Sequence, residues 1–517
     1  MNKIKQFLPL LIATAVVTLS FRFSGDPSWQ SRFVQLQAGG TLAYTPDDNG
    51  NIIPDFSRVG YFQGDKPIPE IPVRITVGPA KTGSSQQIIQ NAIDRLSQKA
   101  PDSHGFRGTI LLKKGIYEIP GTLHINAGGI VLRGEGDNPD ETKLVATGKG
   151  KRTLLEISGK GHAEEVQGSR VKITDHYVAV GTFSFHVADA SRFKPGDAVI
   201  IYRPGTQRWI HDLKMDQIIP RKGTHQWTPQ EYNLRFERRI TKIEGNRVFI
   251  DNPIVMEMED KYGGGFVYKY NFDGRIQNDG VEDIYFQSDY MGDTDEDHGW
   301  IAIGMNAIKN GWIRRVTSRY FGYGCVELQH GATQITVEDS KCLDAKSIIT
   351  GGRRYSFCNN GQLNLFKDLA TTEGRHDFVT GARTLGPNVF YHCTARRTHA
   401  DIGPHHRWSV GTLYDNINTD GEINVQDRGN WGSGHGWAGV TQVIWNCKAK
   451  RAAVQNPWVS GRNYCIGLMG GKYPGRFDDR PDGVWEGQNK PGLKPVSLYL
   501  AQLNARRQNA PLPNKKR

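Results

Sequence analysis

Between Gly374 and Val440 the runs GRHDFVTG, RRTHADIGPHHRWSVGTLYDN and WGSGHGWAGV bring together His376, His392, His399, His405, His406 and His435. Arg375, Arg396, Arg397, Arg407 and Arg428 are interleaved with them, as are Asp377, Asp401, Asp415 and Asp427. Histidine titrates near neutrality, and guanidinium groups bind carboxylates in a fixed fork, so this mixture suits proton transfer on an anionic substrate. Elimination across a uronate needs a neutralised carboxylate, a base and an acid for the leaving oxygen. The expected base is His406 or His405, with Arg407 and Arg375 on the carboxylate, His376 with Asp377 as orienting relay, and Tyr414 as a further proton carrier. Arg396, Arg397, His399, Asp401, Asp415, Arg428, His435 and Trp437 are the expected substrate contacts around them.

A repeat must position these groups. Short apolar runs start at Ile284, Ile313, Ile335, Leu365, Val389, Leu413 and Val443, at spacings of 29, 22, 30, 24, 24 and 30 residues. Second runs, such as Trp300-Ile-Ala-Ile and Trp408-Ser-Val-Gly, precede most of them. Two or three short strands per turn indicate a parallel β-helix, in which each coil buries its apolar face against its neighbours. If Val379, Val410 and Val440 are equivalent, Arg375, His406 and His435 share one level and His376 lies beside Arg407. Neighbouring coils would then set these groups about 4.8 Å apart.

The chain has 517 residues with 60 glycines, 25 prolines and a formal charge of +12, which favours an anionic partner. No RNA-binding aromatic signature, zinc finger or helix-turn-helix is present, so nucleic acid is not the expected partner. Lys3, Lys5 and the apolar run Phe7 to Leu19 read as a secretory signal, with an uncleaved anchor as the alternative and no later membrane span. A secreted, periplasmic or cell-surface location follows. The six cysteines, Cys325, Cys342, Cys358, Cys393, Cys447 and Cys465, lack metal-type spacing and read as small buried hydrophobes, with disulfides permitted by secretion.

Along the chain, residues 1–21 form the signal or anchor, and 22–80 form a turn-rich strap whose Asp47, Asn49, Asn51 and Asp55 lack the closing glutamate of a calcium loop. Ile88, Ile89, Ala92, Ile93 and Leu96 make a helical stripe that could cover an open solenoid end, and GTILLKKGIYEI, GTLHI and GGIVLRGEGDN read as the first strands. DFSRVGY, IQNAIDRL, GTILLKKGIYEI and GIVLRGEG resemble the N-terminal cap and first coils of the pectate-lyase-like superfamily of secreted right-handed β-helix proteins. The later block is similar to a bacterial group within it. The resemblance covers most of the chain and implies an all-β right-handed parallel β-helix. It implies no single activity, because the superfamily includes polysaccharide lyases, glycoside hydrolases, esterases and phage adhesins. Lys81-Thr-Gly-Ser-Ser stands where many relatives carry an Asp-Asp pair.

Residues 81–157 therefore form the capping helix and first coils, 158–270 an inserted antiparallel β-subdomain, 271–493 the main coils and 494–517 a loosely ordered tail. The insert's aperiodic loop carries Trp209, His211, Trp227 and Tyr232, either to stack on sugars or to pin the insert to the coils. Asp295, Glu296 and Asp297 could hold Ca2+ or form a solvated turn, and Arg353 and Arg354 could clamp substrate or simply shape a turn.

The sequence thus reads as a secreted carbohydrate-active enzyme, a polysaccharide lyase on an acidic chain. A glycoside hydrolase would draw its paired carboxyl groups from Asp377, Asp401 and Asp415. A noncatalytic glycan-binding surface protein would show aromatic platforms without an acid-base pair. No G-x-S-x-G accompanies the histidines, which disfavours a serine nucleophile.

Overall fold

The computed structural model describes residues 28–509, so residues 1–27, with the expected signal segment, and residues 510–517 lie outside it. Twenty-nine strands form one continuous, largely parallel sheet network that winds into a β-helix. The core is built from columns of equivalent residues. Val281, Ile313, Val337, Phe366, Phe390, Tyr414, Ile444 and Cys465 pair in succession along one column. Phe366 stacks on Phe390 at 4.7 Å, and Phe390 on Tyr414 at 5.5 Å, so aromatic faces continue from coil to coil. A second column runs Ile303, Val326, Phe357, Phe378.

The repeat read from sequence holds where Leu365, Val389, Leu413 and Val443 pair in register. Earlier the register departs from it: Leu365 pairs with Thr336 rather than Ile335, Ile313 with Val337, and Ile284 with Val316 rather than Ile313. Leu365, Val389, Leu413 and Val443 are buried although they alternate with the core column. Val34, Phe56 and Val59 of the strap cover them, together with Leu498, Tyr499 and Leu503 of a C-terminal helix, Leu498–Asn509. The tail is therefore packed rather than loose up to that helix. An outward apolar column needs such a cover, since water would otherwise meet a continuous hydrophobic strip.

The helix Gln86–Ser97 buries Ile89, Ala92, Ile93 and Leu96 on the first coils, while Ile88 is exposed. The insert is a seven-stranded antiparallel sheet between Glu164 and Asn271. Coil stacking continues across it, with Leu155 paired to Ile303 and Val131 to Gly280. Trp209, Trp227 and Tyr232 of its loop pack with Trp408 and Trp437 of the coils, and Trp227 stacks on Tyr232 at 4.3 Å. These tryptophans pin the insert. They are closed to sugars, since Trp209 and Trp437 are at most 1% exposed and Trp227 is 2% exposed.

A disulfide joins Cys325 and Cys342, 17 residues apart, and Cys358, Cys393, Cys447 and Cys465 are buried thiols. No helix among the described residues is long and apolar enough to cross a membrane.

Candidate active site

The register decides which of the predicted polar groups meet. Phe357 pairs with Phe378, which sets Tyr355 and His376, each two residues earlier, on adjacent coils with ring centroids 5.0 Å apart. Val379 pairs with Gly403, not with Val410, so the expected single level of Arg375, His406 and His435 does not form in that way. Val410 does pair with Val440, and the same register brings His405 opposite His435 at 5.1 Å. His376 lies 4.4 Å from His405, and His406 lies 4.8 Å from His435. Four imidazoles and one phenol thus line a cleft of about 680 Å³ with Arg221, Arg375, Asp401, Arg428 and Trp431.

The chain bends sharply to place them. After His406 it passes through two left-handed residues, Arg407 (φ 53) and Trp408 (φ 66), a costly conformation for side chains of this size. The turn is held by hydrogen bonds from Arg407 N to His435 O at 3.0 Å and from Trp408 N to Trp437 O at 2.9 Å. The tryptophans that pin the insert also fix the facing loop: Trp227 Nε1 donates to Gly434 O at 3.2 Å and Trp437 Nε1 to Leu213 O at 3.2 Å. At Gly432 (φ 52) a Cβ would collide with the His435 ring, so the glycine leaves room for it.

The hydrogen bonds distinguish the imidazoles. His376 Nδ1 lies 2.8 Å from the Asp401 main-chain oxygen and 3.3 Å from its carboxylate. Those acceptors assign the proton to Nδ1 and leave Nε2 as a lone pair, a buried atom with no partner. His405 Nε2 lies 3.0 Å from the Tyr355 hydroxyl, while the Nδ1 atoms of His405, His406 and His435 are buried without partners. Asp401 also pairs with Arg428, whose side chain is 5% exposed.

Burial dominates the titration of these groups. It pushes His406 and His435 down to about 3, helped at His406 by His435 and at both by Arg407 and Arg428. It also lowers His405, and it lowers His376 despite the opposing pull of Asp401. Burial alone would raise the Asp401 carboxyl, but Arg428 and His376 outweigh it and hold it well below the usual range. Tyr355 is pushed up to about 12 by burial and keeps its proton. The cleft therefore presents neutral imidazoles, a protonated phenol and three guanidinium groups around one ionised, already paired carboxylate.

Several expected site residues lie elsewhere. Tyr414 faces the coil interior in the aromatic column and is fully buried. Asp377 is buried, accepts from Ser356 Oγ at 2.9 Å and is pushed up to about 6, so Asp401 takes the orienting role expected of it. Arg407 points away from the cleft, donating to Ser433 O at 2.8 Å and approaching Glu231 at 3.7 Å. Asp415 accepts from Ser497 Oγ and Tyr499 N, both at 2.8 Å, and so anchors the C-terminal helix. Arg397 and His399 pair with Glu373 at 2.6 and 2.7 Å, Arg396 donates to Ala395 O and Asn418 O, and His392 pairs with Asp368, all outside the cleft lining.

Arg354 is buried and donates to Ser347 O at 2.6 Å, and Arg353 grips Glu296 with two bonds of 2.6 and 2.8 Å, so both shape the loop at the cleft rim. The same Glu296 pairs with Lys151, Asp295 accepts from Met291 N and Asp297 N, and Asp297 accepts from Gly150 N. Among the described residues no group of three or more His, Cys, Asp or Glu side chains is arranged to hold a metal ion.

Three cleft residues escaped the sequence reading. Tyr355 follows the noticed Arg353 and Arg354, and its place two residues before an inward phenylalanine, shared with His376, was the available signal. Trp431, 40% exposed in a glycine-rich loop, contrasts with the buried tryptophans. Arg221 comes from the aperiodic insert loop, where no pattern marks it.

No protein-family model and no curated protein matches the chain. Solved structures are similar to the chain at low identity. The tailspike protein of Pseudomonas phage LKA1 is 14% identical, with a TM-score of 0.45 over 76% of this chain and 63% of that one. This chain thus spans less than two thirds of the tailspike's length. An alginate lyase from Paenibacillus is 9% identical, with a TM-score of 0.40 over 80% of this chain and 99% of that one. A protein described as a glycoside hydrolase is 10% identical, with a TM-score of 0.32 over 83% of this chain and 98% of that one.

Proposed function

We propose that this cleft cleaves an acidic, uronate-containing polysaccharide by β-elimination. The observation that carries the reading is an unpartnered His376 Nε2 in a cleft lined by three guanidinium groups and one carboxylate, already engaged by Arg428. Arg375 and Arg221 neutralise the uronate carboxylate, which makes the neighbouring C5 proton acidic. His376 Nε2 takes that proton. The C–H electron pair becomes the C4–C5 double bond, the C4–O bond breaks, and the leaving oxygen takes the proton of Tyr355. His405 Nε2 at 3.0 Å stabilises the phenolate, and exchange with water restores both groups. Relative to the sequence-based assignment, the base moves from His405 or His406 to His376, and the proton-carrying phenol is Tyr355 rather than Tyr414. Trp431 at the rim offers a face for a sugar ring.

A hydrolase would need two carboxyl groups about 5 to 9.5 Å apart across the bond. Asp377 and Asp415 lie outside the cleft lining, which leaves Asp401 without the partner that reading requires. A secreted or periplasmic setting accords with the Cys325–Cys342 disulfide.

The test is incubation with a panel of uronate-containing and neutral polysaccharides, following the ultraviolet absorbance of unsaturated uronate alongside new reducing ends. Absorbance lost in His376→Ala and Tyr355→Phe supports the elimination. Reducing ends without absorbance overturn it in favour of hydrolysis, and binding without either product overturns it in favour of a glycan-binding role.

A further inference from the structure

A second cleft, of about 520 Å³, lies between the insert and the outer turns of the coils. It shares no lining residue with the histidine cleft. Arg407 stands between the two, with one end donating to Ser433 O, beside the histidine cleft, and the other near Glu231, on the wall of the second.

The chemistry of the second cleft differs from the first. Its lining carries Glu231 and Glu237 as well as Arg235 and Arg383, with His162 and His330. Glu237 is already committed, taking two bonds from Arg275 at 2.7 and 3.1 Å and one from Tyr270 at 2.9 Å. His330 is lowered by burial and is neutral. Between these groups lies amide and apolar surface. Asn233 Oδ1 accepts from Gly205 N at 3.1 Å, and Asn306 Oδ1 accepts from Gly331 N at 3.2 Å. A main-chain N–H can only donate, so each contact fixes which end of the amide is oxygen and leaves the NH2 group as an oriented pair of donors. Asn360 and Gln230 add further amides, and Leu234, Leu385 and Phe272 add apolar surface.

Oriented neutral donors beside apolar surface match the hydroxyls and the C–H face of an uncharged sugar ring, and the volume suits a short oligosaccharide. The arginine-rich histidine cleft matches an anionic unit. We infer that the second cleft is a distinct binding site for neutral, hydroxyl-bearing saccharide units. It does not depend on the elimination chemistry.

The experiment is saturation-transfer NMR on the full chain with linear neutral gluco-, manno- and galacto-oligosaccharides. Asn360→Ala and Phe272→Ala are compared with Arg375→Ala in the other cleft, and near-ultraviolet circular dichroism verifies the fold of each. Loss of one or two hydrogen bonds, or of the apolar contact, should weaken binding about tenfold. Binding should stay within about twofold in Arg375→Ala, since that residue touches only the other cleft. No transfer to any of the neutral oligosaccharides overturns the inference. So does binding that survives both second-cleft variants, or that is lost only with Arg375→Ala. Because the readout is binding, absence of lyase activity would leave the result intact, and lyase activity would not rescue a negative one.

Discussion

Asp401→Asn and His376→Ala should separate stability from catalysis at the same contact. The Asp401 carboxylate and the Arg428 guanidinium are 9% and 5% exposed and paired. Removing one charge leaves the other buried without compensation, a loss of about 3–5 kcal/mol of folding stability. The imidazole should stay oriented in Asp401→Asn, because its shorter contact, 2.8 Å, goes to the main-chain oxygen, and the carboxylate contact at 3.3 Å is the longer one. The rate in that variant should therefore fall much less than in His376→Ala. Loss of the general base should cost about 10²–10⁴ in rate, equivalent to about 3–5 kcal/mol of barrier. His376→Ala removes an imidazole whose Nε2 has no partner and should disturb stability less than Asp401→Asn. Urea denaturation followed by tryptophan fluorescence gives the first quantity, and initial rates of unsaturated-uronate formation give the second. A His376→Ala rate within tenfold of the parent refutes its role as base. An Asp401→Asn protein as stable as the parent refutes the buried pair, and one as inactive as His376→Ala shows that the carboxylate, not the main chain, orients the ring.

Because His376 is held below the ordinary histidine value of 6.5, the acid limb of kcat/KM should lie below that pH. Arg428 lowers His376, His405, His406 and His435, so Arg428→Gln should move the limb upward, and a downward shift in the pH–rate profile would contradict the assignment. Asp377 has its folded pKa raised to about 6, so its contribution to stability is full below the unfolded value and is lost as pH rises toward 6. Asp377→Asn should gain on the parent over that window by on the order of 3 kcal/mol with kcat unchanged, as melts and rates across pH would show. Removing the Cys325–Cys342 bridge, which closes a separation of 17 residues, should lower stability by about 3 kcal/mol, measured as the melting difference between the parent and Cys325→Ala/Cys342→Ala.

The β-helix was legible because it is written locally. Short apolar runs recur at one coil's length, and a side chain that fits once fits again on the next turn, as the pairing of Leu365, Val389, Leu413 and Val443 shows. The histidine and arginine content of the 374–440 block likewise marked where the cleft lies, and His376, His405, His406, His435, Arg375, Arg428 and Asp401 do meet there. Roles were not legible, because they depend on which way each side chain turns. A shift of one position in a strand exchanges interior for surface, which is why Tyr414 went to the aromatic column and not to the cleft. The left-handed turn at Arg407 and Trp408 sends Arg407 toward the insert, a bend no periodicity encodes. Arg221 reaches the histidines from more than a hundred residues earlier in the chain, across an interface made by buried tryptophans. Composition and repeat therefore determined the scaffold and the kind of chemistry, whereas register, turn conformation and the docking of the insert decided which base, which acid and which cations face the substrate.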